Sequence, residues 1–232
     1  MERLLFRFNI LFICLIAFQA GCSVQNRTMK TNKGITILGL GDSITEGGPD
    51  FYSYLYPLDS LLSEAGRPHV FIGPRSSVQN GHILHHAGFS GKTAEFLAKQ
   101  IDSIYSTFPA DIVLLHAGHN HFQEENPVPG IVRAQKTIIE TIRKKNHNAQ
   151  VLVAGVITSG KLPKYAYIPD LNMAIKAMVG SFSDPRITFV DQQKNWNWAD
   201  DTIEDKVHPN RKGALVIAGQ WFDSLKDFLN KK

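Results

Sequence analysis

The sequence predicts an α/β domain of three layers, a five-stranded, mainly parallel sheet sandwiched by helices. Three observations carry this expectation. Short apolar runs alternate with amphipathic stretches of helical period, several runs are apolar at every position, and the β-α-β-α order recurs at regular intervals. Strands buried on both faces read as continuous apolar runs, and parallel neighbours need a helical crossover between them.

The elements follow in order. Ile35 to Leu40 is the first strand, and a helix over 51–65 ends at Gly66. His69 to Ile72 is the second strand, followed by a helix over 92–106 that stops before Pro109. Ile112 to His116 leads to a helix over 128–145. Its last turn, Arg143-Lys144-Lys145, places cations where the helix dipole favours them. Val151 to Val156, a helix over 170–181, Ile187 to Val190 and a helix over 210–229 complete the pattern. Two connections, Gly73 to Gly91 and Gln192 to His208, are read as structureless and long enough to be functional or disordered. A third, Ile157 to Pro169, carries Tyr165, Tyr167 and two prolines. All three follow strands, so their bases should border the crevice at the carboxyl ends of a parallel sheet.

A chain of 232 residues with 43% hydrophobic content can bury one substantial core, and no change of composition marks a second domain. The start stands apart. Arg3 and Arg7 precede an apolar stretch from Ile10 to Phe18, then Gln19-Ala20-Gly21-Cys22, which reads as an export signal over residues 1–21. That stretch is shorter than the roughly 20 residues a membrane span needs. Cys14 and Cys22 are the only cysteines, so the mature domain can form no internal disulfide. The segment resembles a bacterial lipoprotein signal, although Gln19 departs from the usual aliphatic residue. The resemblance implies acylation of Cys22 and tethering to a membrane of the bacterial cell envelope, periplasmic or at the cell surface; plain secretion is the other reading. Residues 22–33 would be a flexible tether and residues 34–232 the folded domain. The formal charge is +4 and the basic residues are scattered, which argues against a nucleic-acid partner.

Two distant segments carry the chemistry. Gly41-Asp42-Ser43 follows the first strand, and Asp205-Lys206-Val207-His208-Pro209 precedes the last helix. A serine hydroxyl is a poor nucleophile until a histidine takes its proton, and the histidine needs an orienting carboxylate. Asp205 and His208, three apart in a turn, can lie on one side of the chain. Asp42-Ser43 can equally be a helix cap. No serine has the Gly-x-Ser-x-Gly setting of a nucleophile elbow, so an α/β-hydrolase arrangement is excluded.

Four blocks in order resemble the SGNH or GDSL hydrolases: Gly41-Asp42-Ser43-Ile44-Thr45-Glu46-Gly47, Ala87-Gly88-Phe89-Ser90-Gly91-Lys92-Thr93, Gly118-His119-Asn120 and Asp205-x-x-His208-Pro209-Asn210. The resemblance covers residues 35 to about 228 and implies the flavodoxin-like SGNH fold. It also implies that Ser43 is the nucleophile, His208 the general base and Asp205 its orienting acid. The oxyanion hole would be the backbone N–H groups of Ser43 and Gly91 and the side-chain amide of Asn120. Elementary chemistry suits these roles: Gly91 has no Cβ to hold a substrate away, and Asn120 offers uncharged donors. His121 stands where the family commonly has Asp, and Lys206 where many members have Gly. Some members use a Ser-His dyad, in which Asp205 would have no role.

The remaining conspicuous residues have bland readings beside sharp ones. His116, His119 and His121, or His82, His85 and His86, lack an acid or cysteine at metal-site spacing, so no metal is expected. His116 is read as a satisfied core histidine and His119 as a residue shaping the crevice beside Asn120, a candidate for substrate binding. Trp196 and Trp198 either stack on a sugar ring or pin their loop to the core. One of Tyr52, Tyr54 and Tyr56 is expected to border the pocket, and Glu46 is read as a carboxylate at a helix N-terminus. The blocks look most like the carbohydrate-esterase branch, including acetyl xylan esterases. That implies hydrolysis of O-acetyl esters on a carbohydrate through an acyl-enzyme, with no cofactor. The alternatives are a lipase, lysophospholipase or thioesterase of the same fold, or a glycan-binding lipoprotein without turnover. The sequence gives no oligomeric state.

Overall fold

A computed structural model of the chain describes residues 34–229. The expected export signal, the Cys22 anchor and the tether over 22–33 lie outside the described residues. No helix among the described residues is long and apolar enough to cross a membrane.

The sheet has seven strands, two more than the sequence reading gave: β1 (Ile35–Gly41), β2 (His69–Phe71), β3 (Arg75–Gln79), β4 (His82–Gly88), β5 (Ile112–His116), β6 (Gln150–Gly155) and β7 (Ile187–Asp191). Their order is β3-β4-β1-β5-β6-β7, with β2 lying beside the first half of β1 and β4 beside its last two residues. Every pairing is parallel except the β3–β4 hairpin. The added strands are β3 and β4, inside the stretch read as a structureless connection. Asn80 and Gly81 take φ of 51° and 78° at its tip. Asn-Gly with both residues at positive φ is the favoured two-residue hairpin turn, and Val78 and Ile83 flank it as a cross-strand pair. The strands escaped an apolar-run reading because β3 is polar and largely exposed, and because three histidines interrupt the apolar residues of β4.

The helices are α1 (Ser43–Glu46), α2 (Leu55–Glu64), α3 (Ala94–Thr107), α4 (Val128–Lys145), α5 (Ile168–Gly180), α6 (Trp198–Asp201) and α7 (Arg211–Leu229). Alternate residues of each central strand feed opposite cores. Leu38, Leu40, Val113, Leu115, Val151 and Val153 pack on one face with α3, α4 and α5, while Ile37, Ile112, Leu114, Leu152 and Ala154 face α2 and α7. This is why β1, β5 and β6 are apolar throughout, and it builds the expected three layers.

The chain leaves β1 toward β2 and β4 on one side and returns to β5 on the other. The carboxyl ends of β1 and β5 therefore form a topological switch point, the place where open parallel sheets bind ligands. Gly41 lies at this point. A Cβ on it would come 2.3 Å from the His116 carbonyl oxygen and 2.3 Å from Thr45 Oγ1. Replacing Gly41→Ala is expected to cost about 1–3 kcal/mol through overpacking, read as a lowered urea midpoint with unchanged m. An unchanged midpoint would show that β5 and α1 can move apart freely.

Candidate active site

Ser43 is the first residue of α1, directly after β1, and is nearly buried at 6% exposure. Asp42 caps this short helix by accepting the Ile44 N–H at 3.0 Å. The helix-cap reading is thus true of Asp42, and it leaves the Ser43 hydroxyl free for chemistry. Ser43 Oγ lies 2.8 Å from His208 Nε2, across 165 residues of sequence. His208 Nδ1 lies 2.5 Å from Asp205 Oδ2. An imidazole so held presents an acceptor nitrogen to the serine hydroxyl and keeps its other nitrogen protonated against the carboxylate.

The turn carrying the acid and base is locally determined. Asp205 Oδ1 accepts the backbone N–H groups of Val207 and His208, each at 2.9 Å, and Lys206 bridges them at a φ of 60°. Partial burial pushes the Asp205 carboxyl up, but hydrogen bonds from the His208 ring and from these two amides hold it below its usual range. The Lys206 carbonyl accepts from Ser159 Oγ at 2.7 Å and from the Gly160 N–H at 3.0 Å, which fastens the turn to the loop after β6. Asn210 then caps α7 by accepting the Gly213 N–H. A residue the sequence reading missed, Phe51, stacks on the His208 ring with centroids 4.1 Å apart. Its 157-residue separation from His208 leaves no local signal.

The expected oxyanion donors sit on loops tied to one another. Asn120 has a φ of 69° and donates one amide hydrogen to the Lys92 carbonyl at 3.0 Å. The other amide hydrogen is available to a ligand. Gly91 has a φ of 72°, yet a Cβ there would meet nothing within 4 Å. Glycine is therefore favoured by the backbone conformation and not by crowding at that position. Glu46 is a carboxylate of the first turn of α1, as expected, and it has a second role. It ends α1, accepts the Ser90 N–H at 2.6 Å and pairs with Arg75 on β3. It thereby joins the serine helix to the turn that carries Gly91, a role invisible in sequence because Arg75 belongs to the unrecognised hairpin.

Several other expectations change. His119 is 2% exposed, donates from Nε2 to the Ile157 carbonyl at 3.0 Å and turns Nδ1 toward Asp42, so it is buried and not on the crevice wall. Trp196 is buried and bonds the Thr158 carbonyl, and Trp198 covers Gly160, whose added Cβ would lie 2.3 Å from the indole. Both indoles pin the loop to the core. His121 is clasped between Glu125 at 2.7 Å and Glu95 at 3.1 Å, and these carboxylates raise its pKa. His116 is buried as expected, but neither ring nitrogen has a partner.

The structure adds one observation to the metal reading. Asp42, distant from the histidines in sequence, completes a group with His116 and His119 whose ligand atoms all lie within 4.8 Å. Two imidazoles and a carboxylate are a donor set for a transition metal, and the orphaned atoms equally suit one buried water. Burial pushes the Asp42 carboxyl up to about 7 and the His116 and His119 imidazoles down to about 4 and about 3.

A hydroxyl, an imidazole and a carboxylate hydrogen-bonded in series, at the switch point of a parallel sheet, define the equipment of a serine hydrolase. Residues 40–216 match the GDSL-like lipase/acylhydrolase family, and the chain belongs to that family. A multidomain esterase of Ruminococcus flavefaciens is 25% identical over 228 residues, which span 84% of this chain and 29% of that protein. The chain thus corresponds to under a third of that relative's length. Two solved structures share the fold. A carbohydrate esterase family 3 protein of Talaromyces cellulolyticus has a TM-score of 0.75 at 24% identity, covering 85% of this chain and 99% of that one. A family 3 carbohydrate esterase of Clostridium thermocellum has a TM-score of 0.75 at 25% identity, covering 86% and 98%.

Two predictions arise from this geometry. Glu46→Ala should lower kcat for ester hydrolysis about 10- to 10²-fold with KM within twofold, because the Gly91 turn loses its anchor. An unchanged kcat would remove Glu46 from the machinery. Acid should destabilise the fold. His86, lowered by burial to about 4, joins His116 and His119 in staying neutral when folded, so these three bind protons below 6.5 only on unfolding. Their contribution is present above 6.5 and is lost as pH falls toward 4. Asp42 acts oppositely, keeping its proton in the fold up to about 7, but it is one group against three. Tm should therefore fall between pH 6.5 and 4.5, and His119→Gln should flatten that slope.

Proposed function

We propose that the protein is a serine esterase removing O-acyl groups, chiefly O-acetyl, from carbohydrate through a Ser43–His208–Asp205 triad. The observation that carries the reading is the 2.8 Å approach of Ser43 Oγ to His208 Nε2, with Asp205 at the other ring nitrogen. His208 takes the serine proton as Ser43 Oγ attacks the ester carbonyl. The tetrahedral oxyanion accepts hydrogen bonds from the Ser43 and Gly91 N–H groups and from the Asn120 amide. Collapse breaks the ester C–O bond, and His208 returns its proton to the departing sugar hydroxyl. Water, deprotonated by His208, then attacks the acyl-enzyme and releases the carboxylic acid with Ser43 restored. Each of these steps uses only this chain's residues and water.

The carbohydrate and acetyl parts of the proposal rest on the sequence blocks and on likeness to proteins described as family 3 carbohydrate esterases. Export and acylation of Cys22 belong to the same proposal, supported by Arg3, Arg7, the apolar stretch and the Ala20-Gly21-Cys22 ending. The family description also includes lipases, so acyl length is the first thing to measure.

The protein should hydrolyse p-nitrophenyl acetate faster than the butyrate-to-palmitate esters and should release acetate from acetylated xylan. Ser43→Ala should lower kcat about 10⁴- to 10⁶-fold and Asn120→Ala about 10²- to 10³-fold. Preference for long acyl chains would replace the acetyl esterase with a lipase. Loss of all Ser43-dependent turnover would leave a glycan-binding protein. Equal activity of Asp205→Ala and the unaltered protein would reduce the triad to a dyad.

A further inference from the structure

Beside the catalytic imidazole, between the loop after α1 and strand β3, lies a cavity of about 320 Å³. Phe51, whose ring stacks on His208, is part of its lining, with Ser77 and Val78 on the β3 side. A second cavity of about 370 Å³ adjoins it and is lined in part by Tyr52. The two share Tyr56 and Gln79 in their linings and so lie side by side along the hairpin, a groove whose near end is Phe51 against the His208 ring. The Tyr52 N–H donates to the Pro209 carbonyl at 3.1 Å, which makes the groove wall and the catalytic turn one piece.

The lining is amphiphilic. Phe51, Tyr52, Tyr56 and Val78 supply apolar surface, and Val78 is 66% exposed. Gln79 adds an amide, and the Tyr56 and Ser77 hydroxyls, 3.0 Å apart, each keep capacity for a further hydrogen bond. Glu46 borders the first cavity, but its carboxylate is engaged by Arg75 and the Ser90 N–H. A fatty acyl chain has no use for these amide and hydroxyl groups. A pyranose matches them, with an apolar C–H face for the rings and a hydroxyl edge for the polar atoms.

We propose that this groove binds the saccharide residues flanking the esterified sugar. The assignment rests on the carbohydrate reading above and goes beyond it by placing the glycan along the Asn80-Gly81 hairpin.

The test separates the groove from the chemistry. Unacetylated xylohexaose, mannohexaose, cellohexaose and chitohexaose are titrated calorimetrically into the full chain and into its Gln79→Ala and Val78→Trp variants. Activity on p-nitrophenyl acetate is followed in parallel. At least one hexaose should bind, Gln79→Ala should weaken it about 3- to 10-fold, the scale of one lost hydrogen bond, and Val78→Trp should weaken it further by filling the groove. Turnover of p-nitrophenyl acetate should stay within twofold in both variants. Binding of no hexaose, binding indifferent to both substitutions, or an equal loss on p-nitrophenyl acetate would overturn the assignment. Groove-dependent binding without Ser43-dependent turnover would uphold the groove and overturn the esterase reading. Turnover of p-nitrophenyl acetate without hexaose binding would do the reverse.

Discussion

The site depends on how closely three backbone segments meet at the end of β1. Gly41 lies against the His116 carbonyl of β5 and the Thr45 side chain of α1, with no room for a methyl group between them. That contact sets where α1 begins. The start of α1 sets the serine, and the end of β5 sets the turn bearing Asn120. Gly88 repeats the constraint on the other side of β1, since a Cβ there would lie 2.5 Å from the Glu46 backbone nitrogen. Two glycines thus allow α1 to be wedged between strand ends, and the crowding holds Ser43 in place.

The loops around the serine are fastened in pairs. Glu46 joins α1 to Ser90, Asn120 joins the β5 turn to Lys92, and the Lys206 carbonyl joins the base turn to Ser159 and Gly160. Each bond contributes only about 0.5–1.5 kcal/mol to stability. Their larger effect is on geometry, because an oxyanion donor displaced by an ångström stabilises little charge. Beneath them Asp42, His116 and His119 form a buried cluster with ring nitrogens and a carboxylate oxygen that lack hydrogen-bond partners. The protein tolerates this by leaving the imidazoles neutral.

Most of the layered fold and the residues of the proposed triad were legible in the sequence, for physical reasons that differ. The strands β1, β5 and β6 announced themselves because both faces are buried, and Asp205 and His208 because acid and base share one turn. The hairpin β3–β4 was missed since β3 is polar and exposed and histidines interrupt β4, although Asn80-Gly81 was a sufficient signal. Glu46 and Phe51 were illegible for another reason. Their partners, Arg75 and His208, come from distant segments, and no local pattern encodes a contact made only by the finished fold. Trp196 and Trp198 left two readings open; burial chose the structural one for Trp196, while Trp198 is only partly buried against the core.

The distance along the chain between Ser43 and His208 has a consequence for how the protein comes into being. The proposed nucleophile belongs to the first strand-helix unit and its proposed base to the turn before the final helix, so no early fragment of the chain contains both. A nascent or truncated molecule can build much of the sheet and still hold a serine without a base. Catalytic competence is therefore a report on completion. It requires α7 packed in one core with α2 and the turn at Pro209 held against the Tyr52 N–H.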